Sequence, residues 1–152
     1  MPWEMIRPAG AGDREAVERL VEAAYGVYVE RIGKRPAPMD ADYAALIDAG
    51  RVTVAESDGR VTGILVVVPM EDHLLIENVA VDPAAQGSGL GRRLMAHAEE
   101  HARILGLPEL CLYTNEKMTE NIAWYPRLGY TETERRTESG FARVFFTKRV
   151  DT

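Results

Sequence analysis

The sequence predicts an α/β domain of the α+β mixed kind: a central, mixed, mostly antiparallel sheet flanked by helices. Three observations carry this. Asp58-Gly59 and Ser139-Gly140 each separate two strand-like runs, the mark of β-hairpins and hence of antiparallel pairs. A helical pattern behind Gly89 lies between two apolar runs, Leu74–Val81 and Leu110–Thr114, which reads as strand, helix, strand and therefore as a parallel crossover. The 152 residues, 46% of them apolar, suffice for one sizeable core and are too few for two typical domains, so residues 1–152 form a single unit.

Taken in order, Met5–Pro8 gives a short first strand, and Gly10–Asp13 a turn that ends on a helix cap. The apolar series Ala16, Val17, Leu20, Val21 and Ala24 then predicts a helix running on to Arg31-Ile32 and ending at Gly33. Lys34–Met39 holds Pro36 and Pro38, which forbid regular helix or central strand. A second short helix follows, capped by Asp40 or Asp42 and closed by Gly50. Arg51–Glu56 and Val61–Val68 form a hairpin, and the turn Met70–Asp72 leads into the strand Leu74–Val81, which Asp82-Pro83 stops. The next helix carries Leu90, Leu94, Ala98 and Leu105 on one side and ends at Gly106-Leu107-Pro108. A strand at Leu110–Thr114, a helix at Thr119–Leu128 and a hairpin of Tyr130–Arg135 with Phe141–Thr147 complete the chain. Pro126 removes the hydrogen bond to the Ile122 carbonyl and predicts a kink that bears on the aim of Tyr125.

The chain is organised around Leu74–Met95. There an apolar strand runs into Gln86-Gly87-Ser88-Gly89-Leu90-Gly91, which opens the long helix. That order aims unpaired backbone N–H groups at one point, where a helix start is electropositive, and so it suits a phosphate. No Gly-Lys-Ser/Thr follows, which excludes a Walker loop. A dinucleotide fingerprint needs G-x-G-x-x-G and an acidic residue about 20 positions on. The spacing here is Gly-x-Gly-x-Gly, and Leu112-Tyr113-Thr114-Asn115 stands where the acid belongs. A tight turn before a packed helix is the plain alternative.

Gln86-x-x-Gly89-x-Gly91, after a strand ending Ala80-Val81-x-Pro83, closely resembles the acyl-CoA-binding motif of the GNAT superfamily of N-acetyltransferases. Downstream, Asn121-Ile122-Ala123-Trp124-Tyr125-Pro126-Arg127-Leu128-Gly129-Tyr130 resembles that family's second signature, Asn-x-x-Ala-x-x-Tyr-x-x-x-Gly-Phe/Tyr. Two motifs in order and spacing are far more specific than either alone, and the resemblance covers essentially the whole chain. It implies that the central strand splays from its parallel neighbour and that the pantetheine arm of acetyl-CoA inserts between them. By the same resemblance the main chain of Val79 and Val81 holds the pantetheine and thioester, and Asn121 bonds the pantetheine arm. Gln86, Gly87, Gly89, Gly91 and Arg92 would hold the pyrophosphate, and Tyr125 would protonate the leaving thiolate. Arg92 can equally be a solvated helix charge, and Tyr125 an aromatic packed under its helix.

The residues themselves nominate Glu77 as a base, since it is a carboxylate within an apolar strand. Alternation puts it on the side of Leu75 and Val79 unless a bulge interrupts the count. Its alternative role is to satisfy a neighbouring backbone group, and a water chain could replace a dedicated base. On the acceptor side the resemblance points to the first helical pair and its connection, making Arg35, Pro36, Pro38, Met39 and Tyr43 candidates. Asn78, Tyr113, Thr114, Asn115, Met118 and Arg143 would complete a polar wall. Arg35 in the wall would favour an acceptor with a carboxylate; otherwise it is a solvated loop charge.

Composition narrows the partners. A net charge of −6 and a pI near 5.1 argue against nucleic acid or an anionic membrane and suit a cationic amine acceptor. No stretch of 18 apolar residues and no signal pattern occurs, so the expected location is cytoplasmic. Cys111 is alone, which excludes an internal disulfide, and no histidine stands near it to make it a nucleophile. His97 and His101 have the i, i+4 spacing of metal ligands but lack H-E-x-x-H, and no metal is expected. The function that follows is transfer of an acetyl group from acetyl-CoA to a primary amine of a small molecule in a ternary complex. Its rivals are acetylation of a protein lysine or N-terminus and a non-catalytic acyl-CoA sensor. A homodimer is compatible with such a fold.

Overall fold

The computed structural model describes residues 4–150. Within them a seven-stranded sheet has the order β1-β2-β3-β4-β5-β7-β6. The strands are β1 (Glu4–Pro8), β2 (Val52–Ser57), β3 (Arg60–Pro69), β4 (Leu74–Val81), β5 (Glu109–Asn115), β6 (Thr131–Glu138) and β7 (Phe141–Arg149). Every neighbouring pair is antiparallel except β4 and β5, which the crossover helix α4 (Leu90–Leu105) joins in parallel. The β2–β3 and β6–β7 turns have positive φ at both central residues, +52° and +77° at Asp58-Gly59 and +52° and +80° at Ser139-Gly140. That is the turn geometry whose twist matches paired strands.

Each face of the sheet carries its own core. The helices α1 (Arg14–Tyr25), α2 (Tyr28–Ile32) and α3 (Tyr43–Asp48) cover one, burying Val17, Leu20, Val21 and Ile47 against Val52, Val54, Ile64 and Val66. On the other, α4 and α5 (Thr119–Arg127) bury Leu90, Leu94 and Ala98 against Leu65, Val67, Leu74 and Leu110. Strand β3 serves both cores by alternation, as a doubly covered strand must. No helix among the described residues is long and apolar enough to cross a membrane.

Several expectations need correction. The first helix does not run unbroken to Ile32. It ends at Tyr25, and Val29 N–H bonds back to Gly26 C=O at 3.3 Å. A Cβ at Gly26 would lie 2.7 Å from the Glu22 carbonyl oxygen, so the tight step between α1 and α2 depends on that glycine. Asp13 stands at the N-cap of α1 but makes no side-chain cap bond there; its carboxylate accepts from Gly10 N–H at 2.7 Å and pairs with Arg7 at 2.8 Å. Asp42, not Asp40, caps α3, accepting from Ala45 N–H at 3.0 Å. Ala37–Asp40 forms a single 3-10 turn. Leu105, expected on the buried stripe of α4, is 46% exposed, and Met95 and Ala102 fill the core instead. Pro126 lies within α5 without ending it early, because it falls one residue from the helix end. There the Tyr125 carbonyl accepts from both Leu128 and Tyr130 N–H, at 3.0 and 3.1 Å.

The site-forming irregularity is in β4. Val66 pairs with Asn78 but Val67 pairs with Ile76, which leaves Glu77 as an extra residue in a β-bulge. The bulge resets the alternation. Leu74 and Ile76 before it, and Val79 and Val81 after it, all contribute to the α4 face, while Ala80 joins the opposite core. Leu75, Glu77 and Val79 therefore do not share one regular row. In the same place the parallel pairing stops: β4 and β5 are in register only at Leu74–Leu110, Leu75–Cys111 and Ile76–Leu112. Beyond that point the two strands separate.

Candidate active site

The separation leaves a strand edge without a partner. Asp82 N–H bonds to Thr62 C=O, so by alternation Ala80 and Asp82 turn their main chain towards β3. Val79 and Val81 turn theirs the other way, into the gap beside β5. Tyr25 Oη donates to Val79 C=O at 3.3 Å from α1, and Gln86 Nε2 reaches Val81 C=O at 3.5 Å. The gap thus offers backbone donors and acceptors to an extended polar arm, which is what the pantetheine of acetyl-CoA presents.

At the end of the gap stands the start of α4. Gly89 caps it with φ +85°, and Gly87 has the same value. A Cβ at either would meet nothing within 4 Å, so these glycines are needed for conformation rather than for space. Gly91 is different. It lies inside the helix, and a Cβ there would come within 3.3 Å of the Trp124 ring, so it lets α4 approach α5 closely. The first-turn N–H groups of α4 have no helical partners and point out of a donor-rich, positive end. Exposed Arg92 and Gln86 flank it. This arrangement fits a pyrophosphate.

Tyr125 closes the inner end. Its side chain is 5% exposed and packed against Trp124, Tyr130 and Phe146, at ring distances of 5.3–6.0 Å. The residue lines the cavity between β4 and β5, and its hydroxyl has no hydrogen-bond partner among the described residues. Burial raises its pKa well above the ordinary phenol value, which keeps it protonated. Asn121, a turn earlier on α5, borders the same cavity and holds Thr114 Oγ1 at 3.4 Å and Met118 Sδ at 3.6 Å.

The cavity, of about 100 Å³, brings together most of the residues expected there: Glu77, Asn78, Val79, Tyr43, Thr114, Asn115, Asn121 and Tyr125. Glu77, half-buried on the bulge, makes no hydrogen bond or ion pair among the described residues. Asn78 is fully engaged. It is 6% exposed, its Oδ1 accepts from Tyr25 Oη, and its Nδ2 donates to Tyr43 Oη at 2.9 Å. Tyr43 Oη in turn donates to Pro38 C=O at 2.5 Å. One chain of bonds therefore ties α1, the bulge, α3 and the Pro36–Pro38 segment that roofs the cavity. A second tie comes from Lys34, which donates to Gly140 C=O and lies 4.2 Å over the Phe141 ring.

Arg35 and Met39 are not brought to the cavity. The Arg35 guanidinium pairs with Glu22 and Asp40, both at 3.0 Å, on the outside of the roof, and half-buried Met39 packs into the α1 core. Val81 and the phosphate-turn residues Gln86, Gly87, Gly89, Gly91 and Arg92 lie beyond this cavity, at the end of the gap. Sequence reasoning missed Tyr25, Leu46 and Phe141, which also line it. Tyr25 was hidden in the apolar face of a helix, where a tyrosine reads as core. No local signal marks a hydroxyl that reaches from a helix to the residue beside a bulge. His101 is half-buried, and burial lowers its pKa, with His97 adding to the effect.

The family described as acetyltransferase (GNAT) domain matches residues 48–132. A mycothiol acetyltransferase of Thermomonospora curvata is 38% identical over 85 residues, which make up 55% of this chain and 29% of that protein. N-acetyltransferase family 8 member 3 of Rattus norvegicus is 30% identical over 86 residues, 53% of this chain and 38% of that one. The chain thus spans well under half the length of these curated relatives. In overall fold it is similar to the crystal structure of the PaiA N-acetyltransferase from Thermoplasma acidophilum in complex with coenzyme A. The TM-score is 0.81 at 13% identity, covering 97% of this chain and 99% of that one. YncA of Salmonella typhimurium, a putative acetyltransferase solved with acetyl-CoA, gives a TM-score of 0.75 at 22% identity, over 99% of this chain and 95% of that one.

Proposed function

The chain belongs to the GNAT acetyltransferase family, and from that premise we propose that it transfers the acetyl group of acetyl-CoA to a primary amine of a small molecule, by direct attack in a ternary complex. The observation that carries the reading is the Tyr125 phenol: buried, unpartnered among the described residues, and bordering the cavity where β4 and β5 part. Bound acetyl-CoA supplies an activated acetyl thioester, and the chain's own residues do the rest.

The main chain of Val79 and Val81 holds the arm in the gap, with Asn121 alongside. Gly87, Gly89 and the first turn of α4 receive the pyrophosphate, with Gln86 and Arg92 at its rim. The acceptor enters as an ammonium and gives one proton to Glu77, which passes it to solvent. Its nitrogen attacks the thioester carbonyl carbon; the C–N bond forms and the C–S bond breaks. The sulfur leaves as a thiolate and takes the Tyr125 proton, and the second nitrogen proton restores the phenol. One proton is released per turnover, with an N-acetylated amine and CoA as products. Holding both reactants in line can supply about 7 to 11 kcal/mol of the acceleration.

An acceptor cavity roofed by the 36–43 segment, rather than an open groove, supports a small acceptor over a protein one. The relatives named mycothiol acetyltransferase, named for a small molecule, support the same choice. The test is calorimetric titration with acetyl-CoA and CoA, followed by thiol release across a panel of amines. The expected result is micromolar binding that Gly89→Glu abolishes, together with turnover of at least one amine. A folded chain that binds no CoA would overturn the reading, and tight binding without turnover on any amine would favour a sensor.

A further inference from the structure

The described residues lining the cavity include one acid and one base, Glu77 and Arg143. We propose that the acceptor is a small amino acid, whose ammonium is received by Glu77 and whose carboxylate is received by Arg143. The inference rests on the acetyl-transfer reading above and specifies its acceptor.

The fold brings the two groups to one cavity. Glu77 on β4 directly follows Ile76, the last residue paired with β5, at Leu112. Arg143 on β7 is level with Asn115, three residues further along β5. One strand, β5, lies between the two, and both residues line the same cavity of about 100 Å³. Tyr113 lies between them and feels both: Arg143 lowers and Glu77 raises its pKa, each less than burial raises it.

Arg143 is built to bind rather than to be solvated. Its side chain is 12% exposed, its Nη1 bonds Glu138 Oε1 at 2.7 Å, and its guanidinium lies 4.3 Å over the Tyr113 ring. Glu138 is divided between Arg143 and Arg136. A guanidinium has five N–H donors in a rigid fork, and among the described residues only Nη1 of Arg143 is engaged. The free edge matches a carboxylate. Glu77 is the complementary half: a half-buried carboxylate with no counter-ion among the described residues, in a site where an entering ammonium would supply one. The other polar lining groups are neutral hydroxyls and amides, which favour neither sign.

The experiment measures kcat/KM by thiol release. It compares α-amino acids and the series glycine, β-alanine and γ-aminobutyrate with amines of matched length that lack the carboxylate. At least one amino acid should exceed its decarboxylated counterpart by about a hundredfold, the scale of losing a hydrogen-bonded charge partner. Arg143→Gln should cut that preference to about threefold, and Arg143→Lys, which keeps the charge but not the fork, should fall between. Both variants should bind acetyl-CoA as the wild type does, a readout that also reports folding. If plain amines or polyamines are preferred, if no amino acid turns over, or if Arg143→Gln leaves the preference intact, the inference falls. Turnover of plain amines with normal acetyl-CoA binding would overturn only this inference; failure to bind acetyl-CoA would overturn the function as well.

Discussion

At the scale of single residues, the site depends on two tyrosines with opposite bonding states. Tyr125 is buried without a hydrogen-bond partner among the described residues, which leaves its hydroxyl to a ligand. Tyr125→Phe should lower kcat by about a hundredfold, the lower end for a lost general acid, while calorimetry finds acetyl-CoA affinity within about twofold of wild type. Because burial raises its pKa, the phenol should not ionise below pH 10, and kcat should show no alkaline limb from it between pH 8 and 10. Tyr43, by contrast, is tied at both ends through Asn78 and Pro38. Asn78→Ala removes one bond from each of two buried hydroxyls, leaving Tyr43 on Pro38 C=O and Tyr25 on Val79 C=O, at a cost of about 2 kcal/mol. For a chain of this length that lowers Tm by about 4 to 8 °C, which a calorimetric melt measures. Tyr125, Glu77 and Asn121 were legible in the sequence because they stand in motif positions or break an apolar pattern. The engagement of Asn78 was not, since its partners lie 53 and 35 residues away.

At the scale of elements, function follows from where regular pairing fails. The bulge at Glu77 and the end of β4–β5 pairing at Ile76 coincide. A strand that continued its ladder would have satisfied the backbone groups that here face the gap. The roof is an element-scale device as well, since α3 carries Tyr43 into the cavity and Asp42 fixes the start of α3. Asp42→Ala should cost about 1 kcal/mol, lowering Tm by about 2 to 4 °C. It should raise the acceptor KM more than the Kd for acetyl-CoA, because the cap lies on the acceptor side of the gap; steady-state kinetics with titration separate the two. The break at Gly26 was illegible, and the cap of α3 stayed open between Asp40 and Asp42, for one reason. Periodicity finds a helix, but its ends are set by backbone contacts that an apolar series does not encode.

At the scale of the whole molecule, ion pairs at the rims give the fold a defined acid limit. Asp13 is held below the usual carboxylate range chiefly by Arg7, Glu138 chiefly by Arg143, and Glu120 at about 2 chiefly by Arg31. A carboxylate whose pKa is lowered on folding stabilises the native state above its unfolded pKa and loses that contribution as pH falls through the folded value. Melts should therefore decline modestly from pH 7 to 5, as His101 protonates more readily in the unfolded chain, and drop more steeply between about pH 5 and 2. Arg7→Gln should start lower and drop less, since Asp13 then loses the chief cause of its lowered pKa; exposed Glu120 should contribute little. What the sequence by itself determined is the order of elements, the hairpins, the parallel crossover, the glycine-rich turn before α4 and the two motifs. All of these are local, written in periodicity, turn dipeptides and spacing. The tertiary structure alone decided the two-sided core, the bulge that resets β4, the bonds that fix the cavity roof and the placing of Glu77 and Arg143 on one cavity. It also decided that Arg35 faces outward to Glu22 and Asp40. Those features join residues far apart in the chain, and they depend on register and on which counter-charge lies nearest, which only the packed fold specifies.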